Sequence, residues 1–206
     1  MGNKLISTIQ TIFTRTINTD LPAHEIEDII ERTGLSLVQI ELLYNQFKNR
    51  VKPSIRHVLT KADLEEITEL RTNKLGDRII DVMLRLSPSS TGIDLYTFII
   101  SMSRFQVISP KYSRVKANRL YRSKVEFLFA IYDVDNDGLI GKDDLINILK
   151  RFVDPKLTEQ CESYADTIIK EVAKPKSIMI TFEDYWNAIN RSEIEMKMSI
   201  PLLSKI

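Results

Sequence analysis

Apolar residues along most of this chain recur at spacings of three and four positions. This is the period of an amphipathic α-helix, whose apolar side chains line one face. Glycine and proline, which interrupt helices, number only 6 and 7 among 206 residues. The pattern therefore predicts an all-α protein.

Residues typical of helix ends divide this pattern into separate helices. Pro22 begins one helix and Gly34 ends it, which is the usual placement of these two residues. Ser36 with Gln39 matches a capping box and opens a helix that runs through Phe47. Two further helices are predicted over Lys116–Tyr132 and Asp144–Phe152. Thr158 is predicted to cap a helix that runs to Val172, and Thr181 with Asp184 to cap one that carries Ile189.

The stretch 133–144, DVDNDGLIGKDD, lies between two of these helices and matches the first half of an EF-hand calcium loop. Asp133, Asp135 and Asp137 occupy loop positions 1, 3 and 5. Alternate residues of a curling chain point inward, so these three carboxylates should converge on a hard cation. Gly138 at position 6 permits the sharp turn that a residue with a Cβ resists.

The second half of the loop completes the predicted ligand set. Leu139 at position 7 contributes only its carbonyl oxygen, Gly141 at position 9 can act only through a water, and Asp144 at position 12 supplies the last carboxylate. An EF-hand that binds calcium tightly has a bidentate Glu at position 12. The shorter Asp144 should lower calcium affinity and make magnesium a better competitor. The sequence thus predicts one Ca²⁺ site at which Mg²⁺ is possible.

EF-hands occur in pairs, joined by a short bridge between the apolar residues at loop position 8. In the acidic loop position 8 is Ile140, and Leu145 follows five residues later. The same apolar pair recurs at Leu59/Leu64, Ile93/Phe98 and Ile180/Tyr185. These repeats predict four hands, with the other loops at Lys52–Asp63, Leu86–Thr97 and Ala173–Asp184.

The three additional loops lack the acidic residues that a cation needs. At positions 1, 3, 5 and 12 the third loop has four acidic residues. At the same positions the first loop has only Asp63, the second loop has none, and the fourth loop has only Asp184. Position 6, which is Gly138 in the acidic loop, is His57, Thr91 and Ile178 in the others. We therefore expect one competent site and three loops that act as scaffolding.

These predictions divide the chain into five parts. They are N-terminal amphipathic helices (1–34), a lobe with two degenerate hands (35–105), a basic linker (106–121), a lobe with one competent and one degenerate hand (122–191), and an apolar tail (192–206). The linker is either a solvated connector or a patch for anionic lipid or an acidic partner. The tail is expected to pack in the fold or to occupy a partner groove, and we favour the groove.

Composition and charge exclude several other classes. A net charge of +1 gives no general attraction to nucleic acid. The single cysteine, Cys161, fits a reducing compartment, and no apolar run approaches the roughly 20 residues that span a bilayer. With no secretory signal, cytosolic synthesis is the expectation. The only histidines, His24 and His57, have no catalytic set around them, which argues against an enzyme.

Several segments resemble the calcineurin B homologous proteins, a family that includes tescalcin and is related to the calcineurin regulatory subunit. They are ERTGLSLVQIELLYNQF (31–47), LGDRII (75–80), the region 124–149, ITFEDY (180–185) and IEMKMSIPLL (194–203). The resemblance implies a calcium-binding accessory subunit of plasma-membrane sodium/proton exchangers. Such a subunit holds an amphipathic juxtamembrane helix in a hydrophobic groove, which paired EF-hands can form. Its candidate groove residues here are Leu43, Phe47, Ile79, Ile80, Met83, Phe98 and Met102.

The resemblance also implies lipidation and a place in the cell. Members of the family usually carry a myristoyl group, and Gly2 is present, although the motif's Ser/Thr at position 6 is Ile6 here. An acylated chain would be peripheral at the cytoplasmic face of a membrane. Two alternatives remain: a calcineurin B-like subunit of a Ser/Thr phosphatase, which normally uses four working loops, and a free calcium buffer.

Overall fold

Helices form almost all the regular structure of the part of the chain that this computed structural model describes, residues 19–51 and 58–189 with Ile194 and Met198. Their bounds are α1 (Ala23–Thr33), α2 (Leu37–Lys48), α3 (Lys61–Glu65), α4 (Thr68–Arg71), α5 (Gly76–Leu86), α6 (Leu95–Ser103), α7 (Arg114–Tyr132), α8 (Lys142–Leu149), α9 (Cys161–Val172) and α10 (Phe182–Ala188). A 3-10 helix, Pro155–Gln160, precedes α9. The all-α fold class is confirmed. None of the described helices combines the length and apolarity needed to cross a bilayer.

The predicted helix ends around Gly34 and Ser36 are confirmed. Gly34 adopts the left-handed conformation, φ 72°, and its N–H donates to the Ile30 carbonyl at the end of α1. Ser36 forms the capping box, because its hydroxyl accepts from the Gln39 N–H while the Gln39 side chain accepts from the Ser36 N–H. A side-chain cap therefore satisfies backbone donors that the start of α2 leaves without a helical partner.

Two predicted helix starts differ in the structure. α8 begins at Lys142 rather than Asp144, because Gly141 is its N-cap and Asp144 accepts from the Gly141 N–H. Thr158 does not cap α9: it lies within the 3-10 helix, whose cap is Asp154. A proline at the first position favours this short helix, and α9 begins only at Cys161.

The connection between the lobes is shorter and less exposed than the predicted linker over 106–121. α7 already begins at Arg114, with Ser113 as its cap, so half of that segment is helical. Gln106 and Ile108 are buried. Lys116 and Arg119 donate to the carbonyls of Ile30 and Glu31 at the end of α1. Much of the basic segment is therefore part of the packed structure rather than a solvated connector.

The loops of the four hands pair in two antiparallel bridges, as the position-8 repeat predicts. Leu59 and Ile93 exchange N–H···O bonds of 2.8 and 2.9 Å, and Ile140 and Ile180 exchange two of 2.9 Å. Consequently α2–α3 with α5–α6 and α7–α8 with α9–α10 form two pairs of helix–loop–helix hands. Residues 52–57 of the first loop lie outside the described residues.

Two apolar clusters hold these pairs together. The larger cluster contains side chains of α1, α2, α5 and α6 and of the buried face of α7. It also includes Ile194 and Met198 from the tail. The smaller cluster lies inside the second pair, around Phe129, Ile140 and Ile169. α7 contributes to both clusters, so it connects the two lobes.

A close backbone approach in the first pair gives a test of this pairing. A Cβ on Gly92 would lie 2.4 Å from the Leu59 carbonyl oxygen, and backbone on both sides limits relaxation. We expect Gly92→Ala to reduce the free energy of unfolding by about 1–3 kcal/mol, because overpacking must separate the bridged loops. Urea denaturation measures the change. The exposed neighbour Ser90→Ala is the control, and equal stability of both variants would contradict the bridge.

Candidate metal centre

The acidic loop begins where α7 ends. Asp133 is the C-cap of α7, and its N–H donates to the Phe129 carbonyl at 2.9 Å. One carboxylate oxygen from each of Asp133, Asp135 and Asp137 lies within 4.8 Å of the other two. No other such group of three metal-ligating side chains occurs in the described part of the chain. The predicted convergence of these three carboxylates is thus present in the structure.

Short hydrogen-bonded turns fix the directions of the carboxylates. The Asp137 N–H donates to Asp135 Oδ1 at 3.1 Å, and the Leu139 N–H donates to Asp137 Oδ1 at 2.8 Å. The Gly138 N–H donates to Asp133 Oδ2 at 3.1 Å. Asn136 and Gly138 both adopt positive φ, 64° and 87°, which glycine and asparagine tolerate best. The loop therefore curls around a centre toward which each carboxylate keeps an oxygen available.

Asp133 shows the strongest sign that this centre holds a cation. Its side chain is buried, at 4% exposure, and Oδ1 has no hydrogen-bond partner among the described residues. Burial raises the pKa of Asp133, and the nearby charges of Asp144 and Asp137 raise it further. A buried carboxylate oxygen without a partner is costly, and a hard divalent cation that favours oxygen ligands would satisfy it. The residues present therefore fit Ca²⁺ or Mg²⁺.

Asp144 occupies a different place from the other three carboxylates. Its Oδ1 accepts from the N–H of Val134 at 2.8 Å and of Asp135 at 3.4 Å, while Oδ2 accepts from Gly141 at 2.8 Å. It lies outside the cluster of three. An Asp is one methylene shorter than the usual Glu, and here it joins the two ends of the loop. Its direct ligation of a cation remains a prediction.

The degenerate loops use other groups to close. At position 12, Asp63 and Asp184 accept from the N–H and the hydroxyl of Thr60 and Thr181, respectively. Both carboxylates are thus engaged by a threonine at position 9, which is Gly141 in the acidic loop.

The second and fourth loops also close through serine hydroxyls. Ser87 Oγ donates to the Gly92 carbonyl at 2.7 Å, and Ser177 Oγ donates to the Met179 carbonyl at 2.6 Å. At position 6 of the fourth loop Ile178 is 77% exposed and, unlike Gly138, does not adopt positive φ. These bonds join residues of the same loop and need no ion.

Sequence reasoning missed two arginines of α5 that contact the acidic loop. Arg85 donates to the Asn136 side chain and to the Ala130 carbonyl, and Arg78 donates to the carbonyls of Ile131 and Asp133. Burial lowers the pKa of Arg78, with the nearby charge of Arg85 contributing. Their spacing of seven residues places both on one face of α5. Nothing in the local sequence pattern indicates that this face contacts the end of α7 and the acidic loop.

An apolar cleft of about 580 Å³ lies between the lobes, on α5 and α7. Leu75, the N-cap of α5, and Ile79 of α5 line it together with Leu128 and Ile131 of α7. The tail residues Ile194 and Met198 also line it, at 3% and 4% exposure, and the Met198 N–H donates to the Ile194 carbonyl at 2.8 Å. Two apolar residues of the chain's own tail therefore sit at this cleft.

The seven residues predicted to line a partner groove mostly lie elsewhere. Only Ile79 among them lines the apolar cleft. The other six have exposures of 3% or less and belong to the larger apolar cluster: Leu43, Phe47, Ile80, Met83, Phe98 and Met102. Helical periodicity marks an apolar face but cannot separate core from cleft, which accounts for the difference. The lipidation candidate Gly2 lies outside the described residues.

Two pairs of helix–loop–helix hands, each joined at loop position 8, and one loop with converging carboxylates define an EF-hand protein. No protein-family model matches the chain. It is 30% identical over 205 residues to calcineurin B homologous protein 3 of Xenopus laevis, covering 88% of this chain and 94% of that protein. The chain belongs to the calcineurin B-like family.

Other relatives cover similar spans. The calcineurin B subunit of Naegleria gruberi is 28% identical over 188 residues, which are 91% of this chain and 99% of that protein. Calcineurin B homologous protein 3 of Gallus gallus is 29% identical over 201 residues, 87% and 92% of the two chains. The family resemblance of the sequence is thereby confirmed, and it extends over nearly the whole chain.

Proposed function

We propose that this protein is a non-catalytic EF-hand regulatory subunit that binds one calcium ion in the loop 133–144. The observation that carries the proposal is the buried Asp133 Oδ1, which has no partner among the described residues and lies beside two further converging carboxylates. The family supports the role, since one relative is named as a subunit of calcineurin and others as its homologues. Hydrogen bonds between their own residues close the described parts of the other loops, which supports a single site.

Asp144 should determine how calcium competes with magnesium. Asp144→Glu lengthens the side chain and provides the bidentate ligand of a tight calcium loop, so calcium affinity should rise by roughly tenfold while magnesium competes less well. Calorimetric titration of each ion, and of calcium in the presence of magnesium, measures both effects. Asp143→Glu in the same loop is the control. Unchanged or weaker calcium binding would indicate that position 12 acts only on backbone N–H groups.

The partner that we propose is an amphipathic helix of a membrane transporter, most specifically a sodium/proton exchanger. An apolar cleft between paired hands suits the apolar face of such a helix. The tail residues Ile194 and Met198 support this, because the cleft already accepts apolar side chains spaced one helical turn apart. The exchanger itself comes from the family resemblance. We place the protein at the cytoplasmic face of a membrane, with acylation at Gly2 as its anchor.

A phosphatase catalytic subunit is the second candidate partner. It is favoured by the relative named as the calcineurin B subunit, which this chain matches over 99% of that protein's length. The same apolar cleft would receive a helix of the phosphatase. The two candidates therefore differ in the partner chain and not in the binding surface.

Affinity purification of the full chain from native membranes, with and without chelator, distinguishes these partners. Recovery of an exchanger supports the leading proposal, and recovery of a phosphatase catalytic chain supports the second. Recovery of neither in calcium or in chelator would refute both. Mass spectrometry of the N-terminal peptide tests Gly2 acylation separately, because an unmodified Gly2 would remove the proposed anchor without affecting the cleft.

A further inference from the structure

The acidic loop of the third hand is held by a side chain from the second hand. Arg85 lies in the last turn of α5, which enters the degenerate second loop. Its Nη1 donates to Asn136 Oδ1 at 2.6 Å and its Nη2 donates to the Ala130 carbonyl at 2.9 Å. One guanidinium thus joins loop position 4, which has positive φ, to the last turn of α7. Both attachments are within a few residues of Asp133.

Arg78 makes a second connection of the same kind, two turns earlier on α5. It is buried, and it donates to the carbonyls of Ile131 at 3.3 Å and Asp133 at 3.0 Å. The last carbonyls of a helix have no helical partner, and arginine is well suited to bind them. Arg78 therefore fixes the backbone from which the Asp133 carboxylate extends.

We propose that Arg85 and Arg78 are positioning residues for the cation loop, so that the degenerate second hand sets the calcium affinity of the third. The inference rests on the single calcium site proposed above. Preorganised loops bind more tightly because less ordering remains to be done when the ligand arrives. With Asn136 and the end of α7 already fixed, the first three ligands stand in place before calcium binds.

The positive charge of Arg85 opposes this effect, and the test must separate the two. A cation near the loop repels calcium, so its removal alone would strengthen binding. Arg85 is exposed, and solvent and salt weaken that repulsion. Substitution by lysine keeps the charge but loses the planar fork that reaches both oxygens. Arg85→Lys therefore measures positioning with little change in electrostatics.

The experiment is a calorimetric calcium titration of the full chain and of Arg85→Lys, with stopped-flow dissociation into chelator. We expect roughly three- to tenfold weaker binding, mostly as faster calcium release, from the loss of a charge-assisted hydrogen bond. The melting temperature of the calcium-free chain should stay close to that of the parent. Since Arg85 is exposed, the variant is expected to fold.

Arg151→Lys is the matched control, because Arg151 pairs with Asp77 of α5 and joins the same two hands without touching the loop. In an Asn136→Gly background the effect of Arg85→Lys should shrink, since its side-chain acceptor is gone. Unchanged affinity in Arg85→Lys, or equal loss in Arg151→Lys, would overturn the inference while leaving the site intact. A parent chain that takes up no calcium would refute the proposed function and this inference together.

Discussion

Calorimetric titration of the full chain is expected to show one tightly bound calcium ion per molecule, and Asp133→Ala is expected to abolish it. Asp133 is the most buried of the three converging carboxylates, and its Oδ1 has no partner among the described residues. Removal of this ligand leaves two exposed carboxylates, Asp135 and Asp137, beside Asp144, whose oxygens are bound to backbone N–H groups, so the ion can no longer be enclosed. A loss of at least about a hundredfold in affinity should follow.

Asp143→Ala provides the matched control for this change. Asp143 is an exposed acid in the same loop, at position 11, and lies outside the cluster. It removes an equal charge without removing a proposed ligand, so calcium binding should weaken only slightly. Two or more tight sites in the parent, or binding that survives Asp133→Ala, would contradict the assignment of one competent loop.

Removal of residues 198–206 is expected to strengthen binding of an amphipathic target helix while leaving helical content nearly intact. Met198 is 4% exposed and lines the apolar cleft with Ile194. A target helix must displace these side chains, and the apparent affinity is reduced by the fraction of molecules in which they occupy the cleft. Burial of a methionine contributes about 1.5–3 kcal/mol, so the gain should be roughly ten- to a hundredfold.

Fluorescence titration with a synthetic juxtamembrane helix of a sodium/proton exchanger measures the affinity, and circular dichroism measures helical content. Val107→Asp serves as the control, because Val107 is an exposed apolar residue that does not line the cleft. If the truncated chain unfolds, or binds the helix less well than the parent, the tail is a structural part of the core. The competition hypothesis would then be wrong.

Features encoded within a short stretch of sequence could be predicted, because their geometry is set locally. Twelve consecutive residues specify the acidic loop. A pair of apolar residues five positions apart recurs in all four hands, and this repeat predicts the register of both bridges, Leu59 with Ile93 and Ile140 with Ile180. The capping box at Ser36 is likewise complete within four residues. In each case the residues that interact are either neighbours or share a repeat.

Features that depend on docking of the lobes could not be predicted. Arg85 and Asn136 are 51 residues apart, and no local period relates them. The apolar face of α5 indicates burial, but which of its residues meet core and which meet the apolar cleft depends on the position of α7. Both Ile79 and Ile80 belong to the larger apolar cluster, but only Ile79 also lines the cleft. The hydrogen bonds that Asp144 accepts from backbone N–H groups could not be predicted either, because they depend on the closed shape of the whole loop.

Hydrogen bonds between its own residues close the second loop. Ser87 closes that loop onto the Gly92 carbonyl, and the Asp94 carboxylate accepts from the Thr97 N–H, all without an ion. The described contacts of the second loop therefore need no ion to hold their geometry. If the loop 133–144 is the calcium site proposed above, we expect a rise in calcium to alter the second pair of hands first, while the second loop keeps its own bonds.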